Sequence, residues 1–350
     1  MFIENFTVSQ EDTVEHILNV VNKGGRGIAF ICDKNKLIAV VTDGDIRRYI
    51  MRGGNLKSRV HGIANYYPKC IFIETLFKTN IFEYMKENRI SAVPIVNKNK
   101  EIIQVMMLNG DIIYRKPLIK NDVIVMAGGK GTRLLPYTKI LPKPLMPVGE
   151  KTILELIFEQ FLPFGFRKFF LILNYKKELI KAYFNELDVK YPIEFINETE
   201  YLGTGGGIKL LEGKIKETFF LTNCDILISE DYAEILKYHK KQSNIITLVC
   251  ANNKFTIPYG TVELTKNGYV NALKEKPTFS FLSNSGLYVI EPRFFNYIKK
   301  EQFVHITDVI QTCIQAGEKV GVYSINEDAW MDMGQLESLE TMRIAWSERE

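Results

Sequence analysis

The run Asp122-Val123-Ile124-Val125-Met126-Ala127, closed at once by Gly128-Gly129-Lys130-Gly131-Thr132-Arg133, constrains this chain more than any other stretch. A short apolar run bounded by glycines suits a parallel strand buried on both faces, where polar alternation is not needed. Glycines directly behind such a strand let the backbone approach a ligand closely, with amides turned toward phosphate oxygens and no Cβ in the way. Further on, apolar runs at 169–173, 219–222, 245–251 and 286–290 alternate with helical stretches around 154–162, 178–185, 208–211 and 232–240. That alternation predicts a doubly wound α/β sheet from about residue 119 to residue 350.

The first third reads differently. Ala29-Phe30-Ile31-Cys32-Asp33-Lys34-Asn35-Lys36 is echoed by Val93-Pro94-Ile95-Val96-Asn97-Lys98-Asn99-Lys100 at a spacing of 64 residues. Val40-Val41-Thr42-Asp43-Gly44-Asp45-Ile46 is echoed by Met106-Met107-Leu108-Asn109-Gly110-Asp111-Ile112 at a spacing of 66. Each unit predicts a helix, a strand, a hairpin turn, a strand and a helix opened by Gly-Asp, which buries little alone and must stack on its copy. The units span 1–57 and 58–118, and the change in character after Arg115-Lys116-Pro117 places a boundary near residues 116–121.

This repeat resembles the cystathionine β-synthase-type (CBS) domain, whose tandem pairs bind adenosine nucleotides or join chains across a two-fold axis. The resemblance implies that Thr42 and Asp45 present a hydroxyl and a carboxylate to a ribose; a homodimer is the assembly it suggests. In the second copy Leu108 stands where the hydroxyl should be. A helix N-terminus also takes an aspartate simply as a cap, so Asp45 and Asp111 have a structural reading as well.

At 350 residues, two domains are expected, and 46% hydrophobic with 25% charged residues supplies apolar material for folded cores throughout. The net charge of +4 is spread along the chain and predicts no nucleic-acid surface. No apolar run reaches membrane-spanning length and no signal-peptide pattern opens the chain, so no membrane partner is expected. Five cysteines, odd in number and without a C-x-x-C pair, fit reduced thiols in a cytoplasmic protein.

The loop at 128–133 lacks the order of a P-loop, and no acidic residue stands about twenty positions on to hold a dinucleotide ribose. Arg133 offers a planar fork to a triphosphate, and Lys143, set between Pro142 and Pro144, offers a positive charge on a restrained backbone. The extended string, Gly-Gly-x-Gly-Thr-Arg-Leu-x-Pro-x-Thr followed by Pro-Lys-Pro-Leu-x-Pro-Val, resembles the signature of the sugar-phosphate nucleotidyltransferases. The resemblance implies a Rossmann-like nucleotidyltransferase fold and a nucleotide site built from Ala127, Gly128, Gly129, Lys130, Gly131, Thr132, Arg133, Lys143, Gly203 and Asn223.

Asp225 ends the apolar run 219–223, where ligands of open α/β sheets collect, and Asp332 lies far along in Trp330-Met331-Asp332-Met333-Gly334. Taken singly, each would pass for a turn or cap residue. The resemblance makes them the two ligands of Mg2+, a hard cation that takes one or two carboxylates and completes its shell with phosphate oxygens and water. Arg133, Lys143 and Asp225 are then the catalytic groups. The implied reaction joins a nucleoside monophosphate to a sugar 1-phosphate by in-line attack on the α-phosphorus, with release of pyrophosphate. No general base is needed, because a phosphate monoester is already anionic near neutral pH.

Gly260, Glu275, Lys276 and Asn284 match the sugar side of that family, with Lys276 on the sugar phosphate and Glu275 and Asn284 on hydroxyls. Glu198 lies five residues before Gly203, where relatives using a pyrimidine nucleotide commonly carry glutamine. A carboxylate there accepts both guanine donors, N1–H and the N2 amino group, which favours GTP. CBS pair followed by transferase resembles the fused guanylyltransferases of bacterial nonulosonic (legionaminic-type) sugar pathways, which implies glucosamine 1-phosphate as acceptor. Mannose 1-phosphate is the rival acceptor, and a non-catalytic nucleotide sensor is the reading of another class.

Overall fold

The computed structural model describes residues 2–115, 119–188 and 191–347, with side chains given to residue 344; the part of the expected boundary at 116–118 lies outside them. The long C-terminal part is built on a seven-stranded sheet. Its order is Ile193–Asn197, Lys168–Leu173, Asp122–Met126, Phe219–Asn223, Thr278–Ile290, Ile246–Thr256 and Val320–Asn326. Only Thr278–Ile290 runs antiparallel to its neighbours.

The two faces of the sheet are drawn from alternate residues of the same strands. Val123, Val125, Phe169, Leu171 and Phe220 pack on one side, while Ile124, Met126, Phe170, Ile172 and Leu221 pack on the other. A strand covered on both faces has no solvated side, so it reads as one unbroken apolar run. Helices Ile153–Phe161 and Tyr232–Gln242 cover the first face and Ile306–Gln315 the second. Ile153–Phe161 opens with a capping box in which Thr152 and Glu155 satisfy each other's backbone N–H groups.

The N-terminal repeat forms two small sheets. Ile28–Asp33 pairs with Lys36–Thr42, and Ala92–Val96 pairs with Ile102–Met107, each with an irregularity one residue before the turn side, at Ile31/Cys32 and Ile95/Val96. The helices Val14–Gly24 and Ile81–Glu87 precede these hairpins as expected. Asp43–Met51 follows the first, capped by Thr42.

The expected helix after Gly110-Asp111 does not form. Ile112–Tyr114 is instead a strand paired with Ile102–Met107. Leu108 cannot cap a helix N-terminus, Pro117 would stop a helix after little more than one turn, and Ile112-Ile113-Tyr114 favours an extended backbone. Asp111 therefore caps nothing helical and pairs with Arg26 at 2.6 Å.

The second repeat shares its core with the C-terminal part. Ile73, Phe77, Met85, Val93 and Ile95 belong to the same buried cluster as Val123 and Phe158. Polar contacts cross the same junction. Arg115, stacked 5.1 Å over the Phe164 ring, donates to Asp231 Oδ1 at 2.6 Å, and Asn97 Nδ2 donates to Asp231 Oδ2 at 2.8 Å. The side chain of Asp231 is 2% exposed, so Arg115→Met, which keeps the bulk and removes the charge, leaves that carboxylate short of its main partner. The expected loss is about 3 kcal/mol of stability, read as the shift in urea unfolding free energy; an unchanged midpoint would contradict it.

Candidate active site

A cleft of about 500 Å³ opens at the C-terminal end of Asp122–Met126. Gly128, Gly129, Lys130, Gly131, Thr132, Arg133, Lys143, Gly203, Asn223 and Asp225, all named from the sequence, line it together. Ala127 is buried directly behind, its N–H bonded to Ile172 O. Met126, Tyr201, Thr204 and Cys224 also line the cleft and were not anticipated, although Tyr201 and Thr204 flank the expected Gly203.

Two glycines are dictated by geometry. A Cβ at Gly128 would lie 2.6 Å from Glu198 Oε2, and Gly131 turns the chain at φ +62°, a region side chains resist. The loop is pinned from outside: Thr138 Oγ1 donates to Gly131 O at 3.0 Å, and Tyr175 OH donates to Thr138 O at 3.0 Å. Lys130 and Arg133 are exposed and form no salt bridge among the described residues, although the Arg133 charge acts on Asp332. Both line the cleft as cations, beside the glycines of the loop.

Asp225 and Asp332 come together through a short antiparallel ribbon. Ile226–Ile228 pairs with Trp330–Asp332, with Asp332 directly opposite Ile226, and Met333 N donates to Asp225 O at 2.8 Å. Lys143, 8% exposed, forms an ion pair with Asp225. Burial, and next the Asp225 charge, raise the Asp332 carboxyl above its ordinary range, with Lys143, the Gly334 N–H and Arg133 opposing. A divalent cation suits this arrangement, because it relieves the repulsion between two neighbouring carboxylates. No cluster of three acidic, histidine or cysteine ligands occurs among the described residues, so phosphate oxygens and water would complete the shell.

Glu198 stands apart from the open cleft. It is 2% exposed behind Gly128, with Oε1 accepting from Leu202 N at 3.3 Å and Oε2 without a partner. Burial pushes its carboxyl up to about 7, opposed only by the Leu202 N–H. The expected sugar residues are likewise not in the cleft wall. Gly260, Glu275 and Lys276 lie on the exposed ribbon Thr261–Leu264/Val270–Lys274 and its flanks, where Glu275 Oε2 would be 2.9 Å from a Cβ on Gly260. Asn284 is tied to the cleft indirectly: its Oδ1 accepts from Gly286 N, and Gly286 packs on Asn223.

A second, smaller cleft of about 200 Å³ lies between the repeats, with Thr42, Asp45, Lys69, Arg89 and Ser91 in its wall. Thr42 and Asp45 form a full capping box, and the Asp45 carboxylate also takes Arg48 at 2.5 Å. Burial pushes this carboxyl up, but the Thr42 hydroxyl and N–H and Arg48 together hold it below its usual range. The cap reading of Asp45 is thus realised, in a residue that still faces a cavity. At the corresponding position of the second repeat, Asp111 is exposed and paired with Arg26.

Comparison with known proteins agrees with this geometry. The model of the family described as Nucleotidyl transferase matches residues 122–347, and that of the CBS domain matches residues 2–52. The bifunctional protein GlmU of Methanococcus maripaludis is 33% identical over 223 residues, covering 61% of this chain and 51% of GlmU. A mannose-1-phosphate guanyltransferase of Yarrowia lipolytica is 31% identical, covering 61% of this chain and 60% of the relative. The chain thus spans about half to three-fifths of the length of these curated relatives. Among solved structures, HddC from Yersinia pseudotuberculosis superposes with a TM-score of 0.51 at 23% identity, covering 64% of this chain and 98% of HddC, a likeness of fold. No helix among the described residues is long and apolar enough to cross a membrane. With the family region covering well over half of its length, the chain belongs to the nucleotidyl transferase family and carries a CBS domain ahead of that region.

Proposed function

We propose that the protein is a sugar-1-phosphate guanylyltransferase, converting GTP and a hexosamine 1-phosphate to a GDP-sugar and pyrophosphate. The observation that carries the transferase reading is the convergence of Asp225, Asp332 and Lys143 beside the glycine cradle. A nucleotide sensor needs a binding loop but has no use for paired carboxylates on a fixed ribbon. Amides of the 128–132 loop hold the phosphates, and Arg133 and Lys143 offset charge as the sugar-phosphate oxygen attacks the α-phosphorus and the bond to the β-phosphate breaks. A divalent cation, Mg2+ by preference, held by Asp225 and Asp332, would add charge neutralisation at those phosphates. Five free thiols suit a reducing, cytoplasmic setting.

Guanine is favoured by Glu198, whose unpartnered Oε2 lies against Gly128. For a base to reach it, the Tyr201-Leu202-Gly203 turn has to give way, and the Leu202 N–H bond at 3.3 Å is long enough to yield. Glucosamine 1-phosphate is the preferred acceptor on the likeness to fused guanylyltransferases of nonulosonic sugar pathways. Mannose 1-phosphate, the substrate named for the Yarrowia relative, is the alternative. In this reading Gly260, Glu275, Lys276 and Asn284 reach the sugar, and the cleft at Thr42 and Asp45 takes an adenosine nucleotide.

Pyrophosphate release, screened over the four common nucleoside triphosphates against hexose and hexosamine 1-phosphates, tests the reaction; no turnover with any combination would leave the sensor reading. Asp225→Asn and Asp332→Asn should each lower kcat by about 10²–10³ while the fold persists, and chelation by EDTA should abolish turnover reversibly.

Base choice carries a pH signature. In the free protein the Glu198 carboxyl, pushed to about 7, is protonated below that pH, and then meets the guanine donors with a donor of its own. The GTP-to-UTP ratio of kcat/KM should therefore fall as pH drops below 7, by up to about tenfold per unit, and Glu198→Gln should flatten and invert it. A ratio constant from pH 5.5 to 8 and untouched by Glu198→Gln would remove the guanine assignment.

A further inference from the structure

The ribbon that brings Asp225 and Asp332 together has a second end, and that end is fastened to the second repeat. After Ile226–Ile228 the chain continues through Ser229, Glu230 and Asp231, all 2% exposed or less. Ser229 donates from its hydroxyl to Ile73 O and from its N–H to Ala329 O at 2.9 Å. Lys98 lies 3.2 Å from Glu230, and Asp231 receives Arg115 at 2.6 Å and Asn97 at 2.8 Å. On the partner strand, Asp328, just before Trp330–Asp332, is ion-paired with Lys78. Both strands that carry a carboxylate at one end are thus held by the repeat at the other.

We infer that the second repeat is part of the catalytic scaffold, with Asn97, Arg115 and Asp231 acting as positioning residues that set Asp225 against Asp332. The inference rests on the transferase reading for its consequence and on contacts in the molecule for its geometry. Only a three-residue strand and its two-residue extension separate Asp225 from Asp231, and each strand residue spans about 3.3 Å. Extended buried backbone of that length transmits a shift with little to absorb it. Misplacing a reacting group by 1 Å can cost about a hundredfold in rate, whereas the 128–133 loop, pinned by Thr138 and Tyr175, makes none of these contacts. Loosening the clamp should therefore act on turnover and leave nucleotide affinity alone.

The test uses the full chain with Asn97→Ala, far from the reacting atoms, in a Trp346→Phe background. Trp330, on the ribbon itself, is then the sole tryptophan and reports its packing. The expected result is a folded variant with kcat lowered by about tenfold or more, KM for the nucleotide within about twofold of the parent, and a shifted Trp330 emission. Lys98→Met takes its place if Asn97→Ala does not fold. A folded variant with unchanged kcat and emission overturns the proposal, as does a rise in KM matching the loss in turnover. If the parent itself shows no turnover, the transferase reading fails separately, and Trp330 emission alone decides whether the clamp acts on the ribbon.

Discussion

Three pairs of residues, Ile226 with Asp332, Leu227 with Met331 and Ile228 with Trp330, hold the functional geometry together. The two aspartates are more than a hundred positions apart in the sequence, and no local preference could join them. Their proximity is a product of strand pairing, which is paid for by the buried apolar side chains of Ile226, Leu227 and Ile228 in the large core cluster. Two cations of the cleft act on that fixed point, Lys143 on Asp225 and Arg133 on Asp332, and the glycine loop lines the same cleft.

The fold supplies two kinds of rigidity here. The central sheet sets the loop 128–133 at the end of a strand buried on both faces, so the loop's base cannot move without disturbing both cores. The ribbon gains its rigidity from outside the sheet, through Ser229, Glu230 and Asp231 on the second repeat. One strand of that repeat, Ala92–Val96, has Ala92 and Pro94 in the wall of the smaller cleft and leads directly to Asn97 at the clamp. A path from the smaller cleft to Asp225 thus runs along that strand, across the Asn97–Asp231 hydrogen bond and back through Ser229 to Ile226–Ile228.

Strands buried on both faces were legible because they need no polar alternation, and the run 122–127 announced itself by its glycines. The loop residues and Lys143 were readable for the same reason, since the motif is contiguous and its chemistry local. The second repeat was misread after Asp111, where an internal echo suggested a helix but Leu108, Ile112-Ile113 and Pro117 argued for a strand. Glu198 was readable as a position but not as an environment: nothing in Glu198-Thr199-Glu200 says that Gly128 and Gly207 will close over the first carboxylate and leave the second exposed. The clamp at Asn97, Arg115 and Asp231 was invisible, because a contact between distant surface-like residues leaves no periodic or compositional trace.

The central claim is that the paired aspartates hold a divalent cation at the nucleotide phosphates. Its most direct test is a crystal of the full chain grown with Mn2+ and a non-hydrolysable GTP analogue, with the metal located by its anomalous signal. The account predicts one strong peak bonded to carboxylate oxygens of both Asp225 and Asp332 and to a phosphate oxygen of the analogue. A nucleotide seated on the 128–133 loop with its metal held elsewhere, touching neither carboxylate, would contradict it.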